Sequence, residues 1–405
     1  LAVMPDGQGY VVLTAVGILY KFGSAADPAN LGSLSFPYAP GQDIYRSIAI
    51  MPDGKVLNVK PIGVRDNFFE LGGHSLIAVR LFTAIEKAFG HRLPLATLFQ
   101  FPTIEQLADV IRQQGWQSSW QSLVALRTQG TKPPFFCVHA VGGNVLEYNA
   151  LAQHFSNDQP FYGLQAVGLD GKQPPLTNIE AMAAHYIQEM RRLQPSGPYY
   201  LGGRSFGGSV AFEMARQLHA QGETIGLLAM LDTYPMGWIK LLPPVEAQRY
   251  EKQFLKLRIQ RHFSNLRQFN LSGKLDYVLR KAEFKKRKIK HLWWRLRRQT
   301  GSAQTDSLHR TLRNIEELNF LAAKQYTPQI YPGKVTFFCA EAEVSVDENI
   351  FGWQQLAAGG VEIIRVPGDH QTMIKEPHVQ ALAERLLESL HKAMSHEADQ
   401  HGVQA

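Results

Sequence analysis

The 405-residue sequence predicts an α/β protein, preceded by a small helical unit and a short β segment. Three observations predict it. From Phe135 to about Met394, short apolar runs alternate with helical stretches. A glycine-rich turn, Gly202-Gly203-Arg204-Ser205-Phe206-Gly207-Gly208, separates one such run from a helix. Upstream, between Ser75 and Ile111, two amphipathic helices follow another glycine turn. Hydrophobic residues make up 45% and charged residues 19%, a globular balance that argues against wholesale disorder. Two cysteines exclude a disulfide scaffold or a zinc finger. The longest apolar run, near Tyr10 to Tyr20, is too short to span a bilayer, and the start lacks the features of a signal peptide. A cytoplasmic location is therefore expected.

Residues 1–55 contain a near-repeat, Leu-Ala-Val-Met-Pro-Asp-Gly from Leu1 and Ile-Ala-Ile-Met-Pro-Asp-Gly from Ile48. GYVVLTA and GILYKFG between them read as short strands with glycine turns. The segment resembles one blade of a bacterial propeller-type repeat, and a single blade cannot bury its own faces. No site is expected there.

Residues 56–115 form the helical unit. Leu76, Val79, Phe82, Ala84, Ile85 and Phe89 follow a helical period from Ser75. A capping box, Thr103 to Gln106, opens a second helix through Leu107, Val110 and Ile111. In DNFFELGGHSL, two glycines permit a tight turn and Ser75 then opens a helix, whose N-terminal amides favour a phosphodiester. The same position suits an ordinary N-cap serine. The string, continued by PLATLFQFPTIEQLADVI, resembles the attachment region of peptidyl carrier proteins of nonribosomal peptide synthetases. That resemblance implies 4′-phosphopantetheine on Ser75, installed by a phosphopantetheinyl transferase. It also implies a first carrier helix, but the sequence there reads IAIMPDGK, a strand and turn. The carrier domain is thus expected to lack that helix.

Residues 116–134 read as a polar linker. The domain that follows, 135–394, has PFFCVHA, PFYGLQA, PYYLGG, IGLLAMLD, KVTFFCA and VEIIRVPG as strands, which predicts a parallel sheet covered on both faces by helices. Gly203-Arg204-Ser205-Phe206-Gly207 fits G-x-S-x-G, with a strand before and a helix after, the context of a nucleophile elbow in an α/β-hydrolase fold. A serine nucleophile needs a base and an orienting acid, in the chain order Ser, acid, His. His370 follows the strand VEIIRV in a glycine-containing loop. Asp232 ends IGLLAMLD, and Asp347 follows KVTFFCA, so two acids compete. Asp369 is too close in sequence to His370 to orient it easily. His139 is expected to shape its loop, and Cys137 and Cys339 to be core thiols.

FFCVHAVGGN, GPYYLGGRSFGG, LLAMLDTYP and VPGDHQTMIKEP resemble the type I thioesterase domain that closes a nonribosomal peptide synthetase line. The resemblance favours Asp232 over Asp347. It implies Ser205 as acyl-accepting nucleophile, His370 as base then acid, and backbone N–H groups of Val141 and Phe206 as the oxyanion hole. It also implies upstream synthetase modules as partners, and hydrolysis or macrocyclisation as the outcome. Thioester chemistry needs no metal.

From Lys240 to Arg298 there are 18 Lys or Arg and four acids, an excess of 14 positive charges in a chain whose net charge is +7. This basic insertion lies within about 235–312, where related thioesterases carry a lid. Trp293 and Trp294 could floor an acyl pocket or simply pack. A groove-reading motif is missing, so nucleic acid is not an expected partner, nor is a membrane surface. Residues 395–405 read as a frayed tail. The rival readings are a lipase-like carboxylesterase with a non-functional carrier, and a non-catalytic propeller-type binding protein.

Overall fold

A computed structural model describes residues 63–73, 75–90, 93–112, 122–169, 173–250, 252, 307–341 and 352–402, together with five short strands before residue 60. The chain divides into two compact units, Leu1–Ser118 and Ser119–Ala405.

In the first unit, β1 (Ala2–Val3), β2 (Tyr10–Leu13) and β3 (Leu19–Phe22) form an antiparallel meander. β4 (Ser47–Ile50) pairs antiparallel with β5 (Val56–Val59). Three helices follow: α1 (Ser75–Phe89), α2 (Thr97–Gln100) and α3 (Ile104–Arg112). Ala78, Val79, Phe82 and Ile85 of α1 are buried with Leu98, Leu107 and Val110, so the apolar stripe becomes the unit's core. The capping box forms in both directions: Gln106 N–H donates to Thr103 Oγ1 (3.2 Å) and Thr103 N–H to Gln106 Oε1 (3.3 Å). The turn before α1 is tied to the start of α3, because Phe68 N–H donates to the Pro102 carbonyl (2.8 Å).

The second unit is built on a seven-stranded sheet. Its strands are β6 (Leu123–Arg127), β7 (Phe135–Val138), β8 (Phe161–Leu164), β9 (Tyr199–Arg204), β10 (Ile225–Leu231), β11 (Val335–Ala340) and β12 (Val361–Val366). Their order is β12-β11-β10-β9-β7-β8-β6. The six strands expected from the sequence are all present and mutually parallel. The seventh, β6, is antiparallel to β8, which makes the sheet mixed. It lies in the stretch read as linker. An edge strand with a single fully buried residue, Val124, carries too little apolar pattern to stand out beside polar neighbours.

Of the helices, α4 spans Asn149–Gln153, α5 Ile179–Arg191, α6 Phe206–Ala220, α7 Ser307–Gln325 and α8 His378–Gly402. Helix α5 is capped by Asn178, whose Oδ1 accepts from Ala181 N–H (2.7 Å). Phe136 and Val138 of β7 join the core cluster that includes the buried faces of α5 and α6. Phe135 instead packs on Phe155 and Phe161. That alternation lets one strand serve two layers. Helix α8 runs through most of the segment read as a tail. The helix is tied to the sheet there, because Glu397 accepts from the Tyr200 hydroxyl of β9 (2.7 Å). Most of the basic insertion, from 253 to 306 and including Trp293 and Trp294, lies outside the described residues, as does Asp347. Among the described residues no helix is long and apolar enough to cross a membrane.

The chain runs outward from β7 to β8, then returns to lay β9 on the other side of β7. Loops leaving β7 and β9 therefore diverge, and a crevice at the carboxyl ends of these strands is the expected place for a ligand.

Candidate active site

Ser205 sits between the last residue of β9 and the first of α6, with φ 54° and ψ −117°. Backbone strain of this kind costs about 1–3 kcal/mol and persists only where the surroundings enforce it. Here they do. The Ser205 N–H donates to the Leu231 carbonyl of β10 (3.1 Å), and its own carbonyl accepts from Gly208 N–H (3.2 Å). The flanking glycines leave no room for a side chain. A Cβ at Gly203 would lie 2.3 Å from the Gly207 carbonyl carbon, and one at Gly207 would lie 2.3 Å from the Val138 oxygen. The strand, the helix start and the end of β7 thus touch backbone to backbone.

Asp232 follows β10 directly and has φ 43°. It is buried, its N–H donates to the Phe338 carbonyl (2.8 Å), and its Oδ1 accepts from Ala340 N–H (3.4 Å). Its other oxygen, Oδ2, lies 2.6 Å from His370 Nδ1. The histidine arrives on the loop after β12, half-buried. Asp369 does not compete for it. Its carboxylate accepts from the Gln371 and Thr372 N–H groups (both 2.8 Å) and the Thr372 hydroxyl (2.9 Å), closing the loop on itself. Burial alone would raise the Asp369 pKa, but these donors hold it below its ordinary value.

Phe206, the first residue of α6, is buried, so its N–H stands at a helix N-terminus. Val141 lies in the loop after β7, and its carbonyl accepts from Asn319 Nδ2 of α7 (2.9 Å). The loop is closed by Gly143 N–H on the Ala140 carbonyl (3.0 Å) and pinned by Ala166 N–H on the Gly143 carbonyl (2.8 Å). His139 is fully buried between Ala140 O (2.6 Å from Nδ1) and the Tyr186 hydroxyl (2.8 Å from Nε2), and burial lowers its pKa to about 4. A neutral imidazole satisfies both neighbours, donating from Nδ1 and accepting at Nε2. Cys137 and Cys339 are buried in β7 and β11, and burial raises the Cys137 pKa.

Three side chains that sequence reasoning missed border this site: Arg204, Glu147 and Asn319. Arg204 Nε and Nη2 donate to Glu147 Oε2 (3.2 and 2.5 Å), and Nη1 donates to the His370 carbonyl (2.8 Å). Burial works against the guanidinium's charge, and Glu147 more than offsets it, holding the pKa above its usual value. Among the described residues no group of three or more His, Cys, Asp or Glu could hold a metal.

In the helical unit, Ser75 is the first residue of the 15-residue helix α1. Gly72, three residues earlier, has φ +83° and open space around it. Leu71 and Ile77 beside it are exposed large apolar residues. Gly73 is held instead, its N–H donating to the Phe68 carbonyl (2.9 Å), with a Cβ there only 2.4 Å from that oxygen. A helix N-terminus fits a phosphodiester-linked arm.

A mainly parallel sheet carrying a strained serine elbow after β9, with an aspartate at the end of the adjacent strand β10 bound to a histidine after β12, defines an α/β-hydrolase fold. The Thioesterase domain family matches residues 133–390, more than half of the chain, and the chain belongs to that family. A second family, Phosphopantetheine attachment site, matches residues 54–111, so the chain also carries a domain for covalent 4′-phosphopantetheine. The Dimodular nonribosomal peptide synthase of Bacillus subtilis (strain 168) is 43% identical over 203 residues, 50% of this chain and 8% of that protein. Malpibaldin synthetase of Mortierella alpina is 32% identical over 342 residues, 83% of this chain and 6% of that protein. The chain thus spans less than a tenth of these curated relatives. A crystal structure of a four-domain nonribosomal peptide synthetase bound to AMP and glycine superposes with a TM-score of 0.51 at 28% identity, covering 81% of this chain and 24% of that one.

Proposed function

We propose that this chain is the terminal carrier and thioesterase portion of a nonribosomal peptide synthetase, and that it releases the finished peptidyl or acyl chain by hydrolysis or macrocyclisation. The observation that carries the reading is the 2.6 Å bond between His370 Nδ1 and Asp232 Oδ2 at the strand ends where Ser205 is raised on its elbow. With Nδ1–H donated to the carboxylate, Nε2 is left to accept a proton. His370 takes the Ser205 hydroxyl proton as Oγ attacks the thioester carbonyl. The developing oxyanion accepts from the N–H groups of Phe206 and Val141, which are oriented before the reaction starts. As the C–S bond breaks, His370 returns the proton to the departing sulfur. Water or a nucleophile within the same chain then loses a proton to His370 and attacks the seryl ester. Ser205 leaves with the proton restored.

In this reading 4′-phosphopantetheine, held on Ser75, supplies the thiol on which the acyl chain is presented. Upstream synthetase modules deliver that chain, and a phosphopantetheinyl transferase modifies Ser75. The domains are a carrier over 56–115, a linker to the sheet, a thioesterase over 135–394 and a basic lid over about 235–312. Residues 1–55, read from the sequence as a propeller-type fragment, stand outside this chemistry.

The test is a fluorophosphonate probe followed by peptide mapping. Labelling at Ser205 alone, abolished in Ser205→Ala and strongly slowed in His370→Ala, supports the assignment. Unchanged labelling in Ser205→Ala refutes it. Acyl pantetheinyl thioesters, with products identified by mass spectrometry, then distinguish water from an internal nucleophile. The same instrument reads attachment at Ser75, which Ser75→Ala should eliminate.

A further inference from the structure

We propose that Arg204 and Glu147 together are a positioning device that sets the distance between the base loop and the oxyanion loop; the inference rests on the assignment of Ser205, His370 and Asp232 above. Arg204 is the residue immediately before Ser205, yet its side chain serves neither the strand nor the helix of the elbow. One guanidinium nitrogen, Nη1, donates to the His370 carbonyl at 2.8 Å. The other two nitrogens grip Glu147 Oε2. The remaining oxygen of that carboxylate, Oε1, accepts from Ala140 N–H at 3.3 Å, one residue before Val141. The next residue in the same turn, Tyr148, donates its hydroxyl to the Val138 carbonyl (2.5 Å) and accepts from Arg204 N–H (3.2 Å). A chain of bonds therefore runs from the His370 backbone, through Arg204 and Glu147, to the loop of Val141.

Fold stability alone is a poor explanation for this pair. The two side chains are 10% and 20% exposed. Removing such charges from water costs several kcal/mol each, and a well-packed apolar pair is often no less stable. What an apolar pair cannot supply is direction. A guanidinium is planar, and its donors point along fixed lines to two acceptors on different segments. Lysine would keep the charge and lose the fork. Asp232 orients the His370 ring, whereas Arg204 holds the backbone from which the ring hangs. Both constraints are needed to fix where Nε2 stands relative to the serine. A misplacement of about 1 Å is enough to cost on the order of 100-fold in rate.

The experiment uses the full chain, with hydrolysis of an acyl-N-acetylcysteamine thioester and the rate of fluorophosphonate labelling at Ser205. Variants are Arg204→Lys, Glu147→Gln and the double variant Arg204→Met/Glu147→Gln, which removes both buried charges. A positioning role predicts kcat and labelling rate lower by about 10- to 100-fold in all three, with KM changed by about twofold or less. Glu147→Gln adds a signature that a purely structural role would not produce. It leaves the guanidinium unpaired near His370, disfavours the imidazolium, and moves the acidic limb of kcat/KM to lower pH. In the double variant that limb returns to its wild-type position while kcat stays low. Should the double variant fail to fold, Glu147→Gln keeps the side-chain size and one acceptor and tests the same point. If the variants retain wild-type kcat and labelling rate, with Ser205 still the labelled residue, the inference is overturned and the function stands. If wild-type labelling falls elsewhere than Ser205, the functional reading fails and takes this inference with it.

Discussion

Two serines in this chain each follow a glycine turn and stand at the start of a 15-residue helix, and the glycines before them are held in different ways. Around Ser205, neighbouring backbone is close enough that a Cβ on Gly203 or Gly207 would overlap it, and the serine itself carries φ 54°. Before Ser75, Gly72 turns through φ +83° with nothing within 4 Å. Three strands and a helix enforce the strain at Ser205, as the nucleophilic role proposed for it requires. In the turn before Ser75 only Gly72 is open; at Gly73 beside it a Cβ would lie 2.4 Å from the Phe68 oxygen.

The comparison can be broken most severely at the acid. Asp232→Asn should lower kcat by about 10³- to 10⁴-fold, because the amide favours the wrong imidazole tautomer and leaves the imidazolium uncompensated. Single-turnover kinetics on an acyl thioester would measure this. The two glycine turns provide the next contrast. Gly207→Ala forces backbone apart and should cost about 3 kcal/mol or more in urea unfolding of the second unit. Gly72→Ala meets only the penalty for positive φ, roughly 1–2 kcal/mol. Equal costs would erase the distinction between an enforced turn and an open one.

A third difference is one of pH. His139, buried two residues before Val141, has a folded-state pKa of about 4, below the unfolded value near 6.5. Between those values the unfolded chain binds a proton that the folded one does not. Its contribution is therefore complete above about pH 6.5 and is lost as pH falls towards 4, by about 3 kcal/mol in all. His139→Gln should flatten the acid limb of the second unit's unfolding free energy, measured by denaturant titration at several pH values. The smallest effect is expected in the helical unit. Thr103→Ala removes half of the capping box and should cost about 1 kcal/mol, read as a lower midpoint for that unit.

The parallel strands were legible because each is a mostly apolar run bounded by turn residues, buried along most of its length in all but β12, where only Val366 is buried. Strand β6 was not, since an edge strand with one buried face needs little pattern. The polar end of α8 was read as a tail because propensity without an apolar stripe is a weak signal. Of the two acids offered for His370, spacing could not choose and the resemblance favoured Asp232; the Asp232 carboxylate lies 2.6 Å from His370 Nδ1, and Asp347 lies outside the described residues. Arg204, Glu147 and Asn319 left no trace in the sequence: Arg204 and Glu147 are 57 residues apart, and Asn319 is 178 residues from Val141.

By itself, the sequence determined the features that depend on near neighbours. These are the periodicities of the helices, the runs that become strands, the capping box at Thr103 and the small residues that allow the turn at Ser205. Only the tertiary structure decided that Arg204 spans two loops and that Asn319 holds the Val141 carbonyl. Those contacts join segments far apart in the chain, and their partners are selected by strand order and by the burial of polar groups that must find one another once water is excluded.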